Sequence, residues 1–384
     1  MQPTWILGFT DDAQKELSSS FDRSANGFLK DSSADQQPDD LLHIQNGITA
    51  TLQSNDRLTP SNHWQDVRHL TLILPEAKPY SPGDVVTIYP RNFPVDVDQF
   101  IQLMRWSSIA DEPLHFVPTS TQEITSYPPP PIPAGTNFTL RGLLTNHLDI
   151  MSIPRRSFFS HLAHYTSDPF HIERLQEFTN PEYIDELYDY TTRPRRSILE
   201  VLDEFTSVKI PWQKICSVIP LLRGRQFSIA SGGDLKAPQC TSNQQANTTQ
   251  VDLLVAIVKY KTIIKRIRQG VCTRYIASLK PGQNITVTLQ KGGLNPRKAD
   301  VDKPVVMVGP GTGVAPMRSL IYERMKWRKE SSPQQTHDSG INDTLFFGCR
   351  NAEQDYFFRE EWQYLASKGQ LNVFAAFSRD QVHT

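Results

Sequence analysis

The pattern of apolar and polar positions divides the chain into four textures. Residues 1 to 54 are polar, with Ser18-Ser-Ser and Asp31-Ser-Ser-Ala-Asp-Gln-Gln-Pro-Asp-Asp, and read as linker or disordered chain. From Asn55 apolar residues crowd together: Val67-Arg-His-Leu-Thr-Leu-Ile-Leu and Val85-Val-Thr-Ile-Tyr predict strands, separated by a Tyr80-Ser-Pro-Gly-Asp turn. Between about 95 and 204 the spacing becomes helical, at Val97 to Met104, Leu140 to Ile150, His161 to His164 and Ile198 to Phe205. Tyr127-Pro-Pro-Pro-Pro-Ile-Pro interrupts this block and reads as a stiff extended connection.

Strand patterns then return. Phe227-Ser-Ile-Ala, Val251-Asp-Leu-Leu-Val-Ala-Ile-Val and Ile285-Thr-Val-Thr-Leu predict strands, and a helix is expected from Gly270-Val-Cys-Thr273 through Leu279. The last section alternates: a buried strand Pro304-Val-Val-Met-Val, a helix Met317 to Lys329, a strand Leu345-Phe-Phe-Gly, a helix Ala352 to Lys368, and a strand Leu371-Asn-Val-Phe-Ala-Ala-Phe. Strand–helix–strand–helix–strand is half of a doubly wound parallel sheet. The expected fold class is α+β followed by α/β: an antiparallel barrel over 55–300 carrying a helical insertion at about 95–204, then an incomplete parallel sheet over 301–384. For the barrel, an ordinary β-hairpin remains the alternative reading of the first two strands.

A chain of 384 residues is long enough for two or three domains. Forty Lys and Arg against 41 Asp and Glu give a formal net charge of −1, a balance that does not suggest nucleic acid as the main partner. The four cysteines, Cys216, Cys240, Cys272 and Cys349, form no Cys-x-x-Cys pair, so no metal site is expected. The opening lacks the basic and apolar regions of a secretory leader, and no stretch is apolar enough to span a bilayer. A cytoplasmic protein with reduced thiols is expected.

Candidate chemistry concentrates in five places. Arg225-Gln226-Phe227-Ser228 sets a guanidinium, an aromatic ring and a hydroxyl on one strand, with Arg225 and Phe227 on a shared face. That set suits a ligand with a planar ring and a phosphate, because Arg presents a planar fork to phosphate oxygens; a core role for Phe227 is the alternative. Gly309-Pro-Gly-Thr-Gly313 lies between a strand and a helix, where glycine lets backbone N–H groups approach a pyrophosphate at a helix N-terminus. It matches neither the Gly-x-Gly-x-x-Gly spacing nor a P-loop, and a ligand-free glycine turn is its alternative. Gly270, Val271, Cys272 and Thr273 open a helix and either hold a second pyrophosphate or simply cap it through Thr273. Ser378 and Arg379 favour a 2′-phosphate over a free ribose, against a solvated surface Arg. Cys349 closes a strand at the ligand-binding edge, beside a nicotinamide or as a buried thiol.

Taken in order, Arg225-Gln-Phe-Ser228, Gly270-Val-Cys-Thr273, Gly309-Pro-Gly-Thr-Gly-Val-Ala-Pro316, Phe347-Gly-Cys-Arg350 and Ala376-Phe-Ser-Arg-Asp-Gln381 resemble the FAD/NADPH reductase module of the diflavin reductases, related to ferredoxin–NADP reductase. Ile153-Pro-Arg-Arg-Ser-Phe-Phe, Tyr190-Thr-Thr-Arg-Pro-Arg-Arg-Ser-Ile-Leu-Glu-Val-Leu and the use of Phe227 are similar to the fungal branch that serves cytosolic iron–sulfur protein assembly. The resemblance covers Asn55 onward. It implies that the barrel binds FAD and the sheet NADPH. Arg225, Arg195 and Gly270 to Thr273 would hold FAD phosphates, Phe227 would cover the isoalloxazine, and Ser228 would lie near its N5. Gly311, Thr312 and Gly313 would meet the NADPH pyrophosphate, Ser378 and Arg379 its 2′-phosphate, and Cys349 its nicotinamide. Ser228 and Cys349 are the catalytic candidates. The resemblance further implies hydride passing from NADPH to FAD, then single electrons to FMN, which only the full-length family carries, and on to an iron–sulfur carrier of the anamorsin family.

Against the family pattern, this chain shows no flavodoxin-like FMN domain ahead of the barrel and stops at Thr384, before the remaining strands of an NADPH domain. A fragment or truncated form is therefore expected. The competing readings are a cytochrome P450 reductase or sulfite reductase flavoprotein, and an inactive scaffold that binds a partner through the helical block.

Overall fold

The computed structural model describes residues 5–9, 41–118, 138–238, 248–331 and 343–380. The polyproline stretch, residues 10–40 of the expected linker, residues 239–247 of the polar loop, Gln381 and Thr384 lie outside the described residues. The strands in chain order are β1 (Trp5–Phe9), β2 (Ile48–Arg57), β3 (Val67–Leu74), β4 (Val85–Ile88), β5 (Leu114–Pro118), β6 (Arg225–Ser228), β7 (Thr249–Ala256), β8 (Lys259–Lys261), β9 (Ile267–Gln269), β10 (Asn284–Gln290), β11 (Val306–Pro310), β12 (Asp343–Cys349) and β13 (Leu371–Phe377). The chain forms two compact units, one from residues 1–38, 90–223 and 260–271, the other from 39–89, 224–259 and 272–384.

The second unit contains a six-stranded antiparallel sheet in the order β6-β4-β10-β2-β3-β7. A bridge between Ile229 and Leu253 joins its two ends, so the sheet curls into a nearly closed barrel. Alternation of side chains puts every second residue inside: Ala50 and Leu52 from β2, Leu70, Leu72 and Leu74 from β3, Val86 and Ile88 from β4, Val251 and Leu253 from β7. β4 and β6 are neighbours although the helical unit separates them in sequence. The expected barrel with a helical insertion is thus present.

Two strands begin inside the stretch read as polar linker. β1 is a five-residue apolar run, too short to stand out among polar neighbours, and β2 hides because its outward positions are polar. In β2, Thr49, Thr51 and Gln53 face solvent while Ala50 and Leu52 are buried, so mean polarity masks the period of two.

The three-stranded parallel sheet also belongs to this unit, in the order β11-β12-β13 with helices Val314–Ser331 and Arg359–Ser367 between successive strands. Met307, Leu345, Phe347 and Leu371 form a core with Trp362, Val314 and Ile321 of those helices. Two expectations change. The strand expected to be buried runs Val306–Pro310 and buries only alternate residues: Val306 and Val308 are 69% and 65% exposed, because both helices cover the opposite face. The second helix starts at Arg359, not Ala352. Asp355 instead draws the chain into a turn, its carboxylate accepting the Arg350 and Asn351 N–H groups at 3.1 and 2.7 Å, and Phe358 closes the turn at φ 60°.

The first unit is mainly helical, with Pro94–Met104, Leu140–Asn146, Arg156–Leu162, Pro169–Glu177 and Ile198–Glu204 around Phe100, Leu143, Phe159, Phe178 and Val201. β1 pairs antiparallel with β5 in the same unit. The helix expected at His161 begins earlier, at Arg156, and the one expected through Ile150 ends at Asn146. Among the described residues no helix is long and apolar enough to cross a membrane.

Candidate functional site

The site is built from β6 outward. Its register with β4 sets Ile88 opposite Arg225, Val86 opposite Phe227 and Val85 opposite Ser228. Arg225 and Gln226 are exposed, whereas Phe227 and Ser228 are half-buried. Phe227 packs partly on the barrel core, so its ring serves the fold and keeps part of its surface open. The Gln226 side chain donates to Gln290 on β10 at 2.6 Å, a tie across the sheet. Gly224 precedes the strand because a Cβ there would meet the Thr87 side chain at 2.5 Å.

The helix Val271–Ser278 carries Cys272 and Thr273 in its first turn. Burial pushes the Cys272 thiol up to about 12, while the Arg225 guanidinium acts in the opposite sense, which sets that cation within electrostatic reach of the helix start. Thr273 is not the cap: it is the third helical residue, and its hydroxyl accepts the Val258 N–H at 3.0 Å, fastening the helix to the end of β7. Gly270 and Val271 group with the helical unit, as does Arg195. Arg195 sits at φ 55° in the turn Thr192–Arg195.

That turn is held by residues that motif reading missed. Arg268 donates to the Pro194 carbonyl at 3.2 Å and to Glu200 at 2.7 Å, and Arg266 reaches the same Glu200 oxygen at 2.6 Å. Glu200 also closes a capping box with Ser197. Burial acts to raise the Glu200 carboxyl, but hydrogen bonds from Arg268, the Ser197 backbone and Arg266 outweigh it and hold the group down at about 2. The Ser197-x-x-Glu200 spacing ahead of an apolar run was the available signal.

The polar groups that join β6 to the parallel sheet also escaped the sequence. Past Ser228 the chain runs through Ala230 and Ser231 against the helix that follows Gly309–Gly313. Arg318 donates to the Ala230 carbonyl at 3.1 Å and Ser319 to the Ser231 carbonyl at 2.6 Å. The approach is so close that a Cβ on Gly232 would fall 2.0 Å from the Ser319 carbonyl oxygen. Glu323 accepts the Gly233 N–H at 2.7 Å. Buried Ser231 also bonds the Tyr80 hydroxyl at 2.6 Å and accepts the Asp252 N–H at 2.9 Å. These groups are ordinary polar residues far apart in sequence, and no local spacing marks them.

At the nucleotide end, Gly309 is required because a Cβ would press to 2.8 Å on Val314 Cα, and Gly311 adopts φ +54°, a left-handed conformation that favours glycine. A Cβ on Gly311 would meet nothing within 4 Å, so the backbone of the Gly311–Gly313 turn is open at the head of an eighteen-residue helix. This is the geometry a pyrophosphate needs. At the neighbouring carboxyl edge, Ser378 N–H donates to the Cys349 carbonyl at 3.0 Å and Arg379 N–H to the Arg350 carbonyl at 2.9 Å, bringing Cys349, Ser378 and Arg379 together. The Cys349 thiol is pushed up to about 12 by burial and by the Asp355 carboxylate, so it is a neutral, packing group at physiological pH.

Comparison with known proteins agrees with this division. Residues 41–275 match the FAD binding domain family and residues 307–384 the oxidoreductase NAD-binding domain family. The chain is 48% identical over its whole length to the NADPH-dependent diflavin oxidoreductase 1 of Aspergillus fumigatus, covering 59% of that protein. It is 47% identical to that of Emericella nidulans, with 99% of the chain and 59% of the relative aligned. The Schizosaccharomyces pombe protein of the same name is 40% identical over 89% of the chain and 53% of its own length. The chain therefore spans rather more than half of the curated relatives it matches.

Proposed function

Because this chain belongs to the FAD binding domain family and carries an NAD-binding domain beside it, we propose that it is the FAD- and NADPH-binding part of a diflavin reductase that feeds cytosolic iron–sulfur protein assembly. One observation carries the reading. The strand bearing Arg225, Phe227 and Ser228 continues, through Ala230 to Gly233, along the helix headed by Gly311–Gly313, whose Arg318, Ser319 and Glu323 side chains hydrogen-bond its backbone. A flavin site and a nucleotide site on these two elements would share one rigid connection.

In this reading Arg225 holds the FAD phosphates, helped by Cys272 and Thr273, with Gly270, Val271 and Arg195 as further candidates on the helical unit. Phe227 covers the flavin ring, and Ser228 donates a hydrogen bond near the reacting nitrogen. Gly311, Thr312 and Gly313 receive the NADPH pyrophosphate, Ser378 and Arg379 bind the 2′-phosphate, and Cys349 packs beside the nicotinamide as a neutral thiol. Bound FAD supplies the redox chemistry, taking up two electrons as hydride and releasing them singly. The protein contributes alignment and exclusion of water. The domain limits expected from the sequence, 55–300 for the FAD barrel with its insertion at about 95–204 and 301–384 for the NADP domain, would move at the front to take in the whole of β2 from Ile48.

The names of the relatives support an FMN domain in the whole reductase. A cytoplasmic iron–sulfur carrier of the anamorsin type is the proposed acceptor. The test is an absorption spectrum of the purified chain followed by anaerobic NADPH. A flavin spectrum that bleaches supports the reading. A folded, colourless protein that takes up no added FAD refutes it.

A further inference from the structure

The loop between β2 and β3 has a use that the flavin and glycine motifs do not absorb. It spans Leu58 to Asp66 and is strongly pre-organised. Arg57 donates to the carbonyls of Thr59, Pro60 and His63 at 3.0, 2.9 and 3.2 Å. The Thr59 hydroxyl donates to Gln65 at 2.8 Å and accepts the Val67 N–H at 3.1 Å. His63 is buried, with its ring against Gln65. This rigid loop nevertheless presents Trp64, the largest apolar side chain available, with 56% of its surface in solvent. An exposed Trp on a loop that its own hydrogen bonds hold still calls for a partner.

Part of the partner is visible. The Arg350 guanidinium lies over the Trp64 ring, 4.2 Å from its centroid. Arg350 follows Cys349 at the carboxyl edge of the parallel sheet, and its carbonyl accepts the Arg379 N–H. The residue whose guanidinium covers Trp64 is thus hydrogen-bonded through its backbone to Arg379, next to Ser378. All four belong to the same compact unit.

We propose that Trp64 is a nucleotide-binding residue. With Arg350 it forms an aromatic–cation platform on which the adenine of NADPH stacks while Ser378 and Arg379 take the 2′-phosphate. The inference rests on the assignment of Ser378 and Arg379 made above. Purines stack on aromatic rings and on guanidinium planes alike, and alanine substitution of such a ring typically weakens binding about five- to a hundredfold. A loop of the antiparallel barrel would then take part in holding the nucleotide.

The experiment is calorimetric titration of adenosine 2′,5′-bisphosphate into the whole chain and into Trp64→Ala, Trp64→Phe and Arg379→Ala, with flavin content and thermal unfolding measured on each. The expected result is binding about tenfold weaker in Trp64→Ala and largely restored in Trp64→Phe, with flavin content unchanged. In turnover, Trp64→Ala should raise KM for NADPH with little change in kcat. Equal affinity in wild type and Trp64→Ala overturns the inference. If Arg379→Ala weakens binding in that case, the 2′-phosphate assignment stands alone. Weakening by Trp64→Ala but not by Arg379→Ala keeps the platform and removes the 2′-phosphate assignment. No binding by the wild-type chain overturns both. Should Trp64→Ala fold poorly, Trp64→Phe carries the test through tryptophan emission: quenching by the bisphosphate must be present in the wild type and lost in the variant.

Discussion

Arg318 holds the buried carboxylate of Asp252 at 3.1 Å with one nitrogen, while two others grip Glu361 at 2.9 Å each. Through the Ala230 carbonyl the same guanidinium touches the chain leading out of Ser228. One side chain thus fastens the chain that follows β6, the barrel wall at β7 and the helix Arg359–Ser367 together. Removing it leaves Asp252 buried with one cation and one hydrogen bond fewer. Arg318→Met is expected to cost about 3–5 kcal/mol, read as a lower urea midpoint. Asp252→Asn, which keeps the shape and removes the charge, should cost less.

The same pair gives the fold a pH dependence. Burial acts to raise the Asp252 carboxyl, but His69, Arg318 and Gln250 outweigh it and hold the group below its ordinary value. A depressed carboxylate stabilises the fold fully above the pKa of the unfolded chain, about 3.9, and loses that contribution as pH falls towards the folded value. Glu200, held at about 2, acts in the same direction. Unfolding free energy measured between pH 6 and 3 should fall with acid, and less steeply in Glu200→Gln.

Gly311→Ala forces a side chain onto φ +54°. A cost of about 1 kcal/mol in stability is expected, together with weaker binding of adenosine 2′,5′-bisphosphate because the turn must shift. Gly309→Ala, which would press on the Val314 backbone, should be worse on both measures. Equal binding by both variants and the wild type would separate this turn from the nucleotide.

With its thiol pushed up to about 12, Cys349 should resist alkylation. Iodoacetamide labelling at pH 8, followed by peptide mass spectrometry, should run on the order of a thousandfold slower than for an unperturbed thiol. Asp355→Asn removes one of the causes and should speed it. Rapid labelling of Cys349 in the folded wild type would count against a neutral thiol at the sheet edge.

The sequence by itself determined the elements whose physics is local. Strands such as Val67–Leu74 and Asn284–Gln290 announce themselves by their apolar content, and Gly309-Pro-Gly-Thr-Gly by the backbone freedom its glycines supply. Arg225, Phe227 and Ser228 were legible as a set because a strand fixes their faces over four residues. Where exposed positions are polar, as in β2, composition misled; where one carboxylate recaptures two amides, as at Asp355, the first turns of an expected helix do not form. Only the tertiary structure decided the rest. The closure of the barrel by Ile229 and Leu253, the Arg318–Asp252–Glu361 junction and the meeting of Trp64 with Arg350 all join residues distant in the chain. Such contacts depend on which surfaces folding brings within a few ångströms, and hydrogen bonding and stacking at that range leave no periodic mark on the sequence.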